Sequence, residues 1–221
     1  MTDKLQETDQ FFQDEGGFSY QPDKVITWLE RNVPLPSEGN VLDLCCGDGV
    51  WSWGMGELRP RLELYGIDIS EGGVNTAIDR LKSDSEHFQV ADAESMQLFP
   101  DVEFDFIFAR GLPFFNQHNM LQPGFLRLLE YWHRKLSPKG LFFSTYASNP
   151  RLMGSYTPPE ETRLPLNKQP RKTPALDFSG GKFHHSVQTF LAPFWEAEGV
   201  EVHKYRFEST RHILTTRRAD G

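Results

Sequence analysis

Two rhythms of apolar and polar positions alternate along the first two-thirds of the chain. Short apolar runs at 40–44, 62–67, 87–90, 104–109 and 141–146 have the length and side chains of strands. Between them lie segments of helical periodicity at 50–58, 71–82 and 121–136. An earlier helix is expected over 23–31, with Val25, Ile26, Trp28 and Leu29 as its apolar face. Strand, helix, strand in repeated order implies parallel pairing through crossovers, with helices on both faces of one sheet. Residues 92–102 carry little helical periodicity and are expected to be irregular.

The last third reads differently. Residues 148–183 contain six prolines and the pair Gly180-Gly181, which exclude a long helix or a central strand. A helix is expected over 186–198, ended by Gly199, and strands over 200–207 and 211–217. Three residues cannot make a parallel crossover, so those two strands should form an antiparallel hairpin. The predicted object is an α/β, doubly wound, seven-stranded sheet, mostly parallel with one antiparallel C-terminal strand.

Composition adds bounds. A chain of 221 residues suits a single domain, 1–221, with a leader at 1–22 and an insertion at 148–183. Hydrophobic residues at 38% and charges at 24% argue against wholesale disorder. No apolar stretch is long enough to span a membrane, and the first residues lack the layout of a secretory signal. Cys45 and Cys46 are neighbours and the only cysteines, which excludes a disulfide scaffold and an all-cysteine metal site. A reducing, cytoplasmic location with no metal is the expectation. The net charge of −8 is uneven: residues 1–110 hold 22 acids against 8 Lys/Arg, and residues 111–221 hold 9 against 15. The acidic half disfavours nucleic acid as a partner, while the basic half is a solvated surface or suits an anionic acceptor.

The candidate chemistry sits at strand ends. In an open α/β sheet, ligands bind beyond the carboxyl ends of the strands. Asp43 lies in the first strand, Asp68 at the end of the second and Asp92 after the third, each about one strand–helix unit from the next. Asp43 opens the run Asp43-Leu44-Cys45-Cys46-Gly47-Asp48-Gly49, whose small residues let backbone approach a ligand closely. Asp68, with Ile69 beside it, is placed to accept ribose hydroxyls, and Asp92-Ala93 to meet the edge of an adenine. Ribose, adenine and a glycine-lined tail describe an adenosyl cofactor. A dinucleotide fingerprint would need a third glycine where Ser52 stands, and it has no acid at Asp43.

The run Val41–Gly49 resembles motif I of the class I S-adenosylmethionine-dependent methyltransferases, with Cys45 in place of the first glycine. A thiol is small, and a left-handed backbone is not expected to be obligatory there. Asp68 matches the family's ribose-binding acid, Asp92-Ala93 its adenine-contacting pair, Phe104–Arg110 its fourth-strand motif, and Leu136–Gly140 its turn before strand five. The resemblance covers 23–147 and 186–217 and implies a Rossmann-like fold with S-adenosylmethionine as cofactor, bound by Asp43, Cys45, Gly47, Gly49, Asp68, Ile69, Asp92, Ala93 and Arg110, with Tyr20 in a lid. It implies in-line methyl transfer to a small-molecule acceptor, to which Arg110, Phe114, Phe115 and Tyr146 would bind. His118, and after it His184 and His185, are the base candidates. The proline-rich 148–183 would be a substrate lid. The alternative is a non-catalytic cofactor-binding or partner-binding protein that keeps the fold. Cys45 and Cys46 are expected to be packed small residues rather than nucleophiles.

Overall fold

The structure, a computed structural model, describes residues 21–93, 98–110, 123–147, 200–208 and 211–218. The chain forms two compact units, Met1–Ala109 and Arg110–Gly221.

The first unit holds helices α1 (Pro22–Asn32), α2 (Val50–Leu58) and α3 (Glu71–Leu81) and strands β1 (Glu38–Leu44), β2 (Arg61–Asp68), β3 (Phe88–Val90) and β4 (Phe104–Ala109). Pro22 opens α1, where a missing N–H loses nothing. The helix stops before Pro34, which holds Val33 in extended backbone (φ −112°, ψ 120°). Val25 and Leu29 are its buried face, and a Cβ on Gly54 of α2 would stand 2.8 and 2.9 Å from them, so glycine permits this close helix contact. The strands lie in the order β3-β2-β1-β4 and all are parallel, with Asp43 opposite Gly66 and Phe108. Phe106, Ile107 and Phe108 are consecutive and fully buried, so both faces of β4 are covered, as expected of a parallel strand.

Ser70 caps α3, its hydroxyl accepting from the Gly73 N–H at 3.0 Å, and Lys82 ends the helix in left-handed backbone. Cys46, Val74, Ala77 and Phe88 form a cluster between α3, the β1–α2 turn and β3. Residues 98–103 carry no helix, as the weak periodicity predicted, and Phe99 there packs edge-on against Tyr65 and Phe104.

The second unit holds α4 (Pro123–Arg134) and strands β5 (Leu136–Ala147), β6 (Val200–Glu208) and β7 (Arg211–Arg218), in the order β5-β7-β6. β7 is antiparallel to both neighbours, so it is the reversed strand. The hairpin forms as the short connection requires, with an irregularity between Val202 and Lys204. Trp132 and His133 of α4 are buried; His133 stacks on Phe142 at 5.1 Å and shares a 2.7 Å hydrogen bond with the Thr216 hydroxyl. One boundary differs from expectation. The helix stops at Arg134, and Leu136–Gly140, read as a turn, is extended and belongs to β5. Pro138 lacks an N–H and favours extended backbone, which ends the helix early. The expected fold class is found: α/β, mostly parallel, one strand reversed. The expected helix over 186–198 lies outside the described residues.

Candidate functional site

The turn after β1 is built to place backbone against the end of β2. Cys45, Gly47 and Gly49 all have positive φ, at 65°, 53° and 72°. The expectation for Cys45 is therefore corrected: the backbone there is left-handed, a conformation that costs a residue with a Cβ about 1–2 kcal/mol. The cause is the set of bonds this turn makes. The Cys46 N–H donates to the Ile67 carbonyl at 2.9 Å, the Gly47 N–H to Asp68 Oδ2 at 2.9 Å, and the Gly49 N–H closes the turn on the Cys46 carbonyl at 2.9 Å. Bringing two successive N–H groups onto β2 requires the chain to reverse at once, and Cys45 takes up that reversal.

Asp43 is 2% exposed, and its Oδ2 accepts a 2.6 Å hydrogen bond from the Ser52 hydroxyl. Asp68, also buried, accepts from Gly47 N–H through one oxygen and from Ser70 N–H, at 2.9 Å, through the other. Asp92 follows β3 and is exposed, with Ala93 buried beside it, and the Ala91 N–H donates to the Asp68 carbonyl at 2.8 Å. The charges of all three acids bear on the Cys45 thiol. Burial, then the carboxylates of Asp68, Asp43 and Asp92, push the Cys45 thiol well above its ordinary range. Burial, then Asp43 and Asp68, do the same to Cys46. Raised in this way, both thiols are poor nucleophiles near neutral pH; Cys46 is buried and Cys45 half-buried.

This arrangement presents acceptors and negative charge around a turn whose glycines leave backbone bare. Carboxylates accept hydrogen bonds only, so the donors they would meet are hydroxyl or amino groups or a cation. An adenosyl sulfonium compound offers ribose hydroxyls, an adenine amino group and a positive sulfur, and the donor set fits it.

Asp43, Cys45, Gly47 and Asp68 are thus brought together, with Gly49 completing the turn, Ile69 half-buried beyond Asp68, and Asp92 just past the end of the neighbouring strand β3. Arg110 follows β4 and is half-buried. Tyr146 lies in β5 opposite His212, its side chain outside what is described. Tyr20, Phe114, Phe115, His118, His184 and His185 lie outside the described residues, as does the segment 148–183. Three supporting residues escaped the sequence reading. Ser52 is the hydroxyl donor to Asp43; Asp48 accepts from the Val50 N–H at 3.3 Å; and Arg80 pairs with Asp48 at 2.9 Å. Arg80 is 32 positions from its partner, and no local pattern marks such a contact. Among the described residues no group of His, Cys, Asp and Glu has a metal-holding geometry, and no helix is long and apolar enough to cross a membrane.

Residues 41–140, the stretch that carries all three acids and the turn, match the family model of a methyltransferase domain. Over those residues the chain is similar to methyltransferase domains. The chain is 30% identical over 135 residues to the demethylmenaquinone methyltransferase of Listeria welshimeri, and likewise to that of Listeria monocytogenes. The aligned part is 58% of this chain and 55% of the Listeria welshimeri protein, so the chain spans about half the length of the curated relatives it matches. Among solved structures it is similar to the cyclase SpnF, with 16% identity, a TM-score of 0.62 and coverage of 99% of this chain and 96% of that one. It is also similar to CalO1, a methyltransferase of calicheamicin biosynthesis solved with S-adenosylhomocysteine bound. There the identity is 15%, the TM-score 0.52 and the coverage 90% and 54%. At these identities the two structures show the fold alone.

Proposed function

We propose that this protein moves a methyl group from S-adenosylmethionine to a small-molecule acceptor in the cytoplasm. The observation that carries the reading is the turn Cys45–Gly49 seated on Asp68 at the end of β2, with Asp43 at the end of β1 on one side and Asp92 just past β3 on the other. The cofactor, when bound, supplies an activated methyl group on a sulfonium, ready for displacement by a lone pair of the acceptor. The chain's own task is then placement, which can supply roughly 7–11 kcal/mol when the reacting atoms are held in line. Asp68 holds the ribose hydroxyls, and the two backbone N–H groups on its oxygens fix its direction. Asp92 and the Ala93 amide meet the adenine. Gly47 admits the amino-acid tail, Gly49 lets the turn close against Ala77 of α3, and Asp43, held by Ser52, fixes the start of the turn.

The names of the Listeria relatives, demethylmenaquinone methyltransferases, support a small acceptor over a macromolecule. Arg110, Phe114, Phe115 and Tyr146 are the residues assigned to it, with His118, His184 or His185 as base and 148–183 as lid. A base adds about 10²–10⁴-fold where the attacking atom arrives protonated.

Titration calorimetry with S-adenosylhomocysteine tests the cofactor half. The protein should bind it and not NAD, and Asp68→Ala should weaken binding about 10–150-fold through loss of charge-assisted bonds. Unchanged affinity in that variant removes the ribose assignment, and tight NAD binding removes the reading altogether. Methyl-labelled cofactor incubated with a cell extract tests the acceptor half: label should appear in low-mass compounds, and label in protein or RNA instead would overturn it.

A further inference from the structure

Helix α3 lies along the turn 47–49 with one face. A Cβ on Gly73 would stand 3.0 Å from the Gly47 carbonyl oxygen, and a Cβ on Gly49 would stand 2.7 Å from Ala77 Cβ. One turn further, Arg80 Nη2 stands 2.9 Å from Asp48 Oδ2. Residues 73, 77 and 80 are four and three apart, so they make one stripe on α3. The first two contacts are steric and set how near the turn can come. The third is an attraction that holds it there.

The Asp48–Arg80 pair is not an ordinary surface ion pair. The Asp48 side chain is 10% exposed and that of Arg80 31%, so the pair is partly withdrawn from solvent screening. Asp48 also spends its other oxygen on the Val50 N–H at the start of α2. One carboxylate thereby ties the turn to the helix that follows it and to the far end of α3.

We infer that Arg80 is a positioning residue for the cofactor. Acting through Asp48, it holds the turn in the shape that keeps the Gly47 N–H on Asp68, so that the ribose-binding carboxylate and the bare backbone are set before the ligand arrives. Preorganisation of this kind raises affinity by removing the ordering that binding would otherwise require. The inference rests on the reading of this turn as the S-adenosylmethionine cradle.

The test is a double-mutant cycle read by calorimetry with S-adenosylhomocysteine, alongside urea unfolding of the cofactor-free protein. Arg80→Ala and Asp48→Asn should each weaken binding about tenfold, and the double variant should be no weaker than either alone, because the two act as a unit. Arg80→Lys, which keeps the charge for this single-nitrogen contact, should recover most of the loss. Wild-type affinity in Arg80→Ala, or losses that multiply in the double variant, would overturn the inference. So would a fall in the urea midpoint with affinity unchanged, since the pair would then be a structural tie only. Should Arg80→Ala fail to fold, Asp48→Asn and Arg80→Lys carry the comparison. Absence of binding by the unmodified protein would instead sink the cradle reading itself, and this inference with it.

Discussion

Gly49→Ala is the substitution whose effect the geometry fixes most closely. Gly49 sits at φ 72°, just before α2, and a methyl group there would stand 2.7 Å from Ala77 Cβ and 2.9 Å from Ala77 Cα. Two costs add. The left-handed backbone penalises a Cβ by about 1–2 kcal/mol. Overpacking adds about 1–3 kcal/mol, because the second contact is with main chain and no rotamer change relieves it. Alanine restricts the unfolded chain and returns about 0.4–1 kcal/mol. The net expectation is a loss of about 1–4.5 kcal/mol in urea unfolding, with the slope unchanged and weaker binding of S-adenosylhomocysteine. A second variant separates the causes. Ala77→Gly on its own should cost about 1 kcal/mol for glycine in a helix. Combined with Gly49→Ala it removes the Cβ–Cβ contact, so the pair should be less destabilised than the sum by about 1 kcal/mol. A loss below about 0.5 kcal/mol for Gly49→Ala, or strict additivity in the cycle, would refute the close approach of α3 to the turn.

Cys45→Gly should leave stability unchanged or raise it by up to about 1 kcal/mol, since relief of the left-handed strain outweighs the extra freedom of glycine; a clear loss in thermal unfolding would mean that thiol packing dominates. Ser52→Ala removes the 2.6 Å hydroxyl bond to buried Asp43 and should cost about 1.5–3 kcal/mol, a charged-acceptor bond; a neutral result in urea unfolding would show that water replaces the hydroxyl. His87 bonds Asp84 at 2.8 Å and Glu63 at 3.0 Å, lies 4.8 Å from the Tyr65 ring, and is pushed above the ordinary imidazole range, first by Asp84. Its stabilising effect is therefore full below the unfolded-state value and lost as pH rises through the raised one. Between about pH 5.5 and about pH 9 the urea midpoint should fall more in the parent protein than in His87→Gln, and equal falls would refute the contact.

The strands were readable because a parallel sheet buried on both faces leaves runs such as Phe106-Ile107-Phe108 that no helix pattern imitates. The helices were readable from periodicity, and the structure shows that their ends also carry local signals, Pro22 as the first residue of α1 and Ser70 capping α3. The boundary at Leu136 was misread for the same reason that others were read well. Ser137-Pro138-Lys139-Gly140 has turn composition, but extended pairing also tolerates Pro138, and composition cannot separate the two. The left-handed Cys45 was missed because its φ is imposed by bonds to Ile67 and Asp68, more than twenty residues away. Arg80 was missed likewise, since its partner is brought to it only when α3 docks.

Asp68 shows why the cofactor side of the site announces itself in the sequence. The position needs a group that accepts from Gly47 N–H with one oxygen and from Ser70 N–H with the other. An amide side chain in its place would turn its NH₂ toward one of those two donors, and a hydroxyl has too few acceptors in the right directions. A carboxylate is therefore fixed by the backbone of two separate segments before any ligand is considered, and the assigned ribose hydroxyls would add to a demand that already exists. Asp43 is held in a similar way, by a hydroxyl one turn into α2. Acids constrained by the fold and assigned to the ligand at the same time leave a spacing that can be read along the chain. The acceptor-side assignments, Arg110, His118 and Tyr146 among them, show no such repeat along the chain, and a side chain selected for one acceptor alone leaves no period in the sequence by which to be recognised.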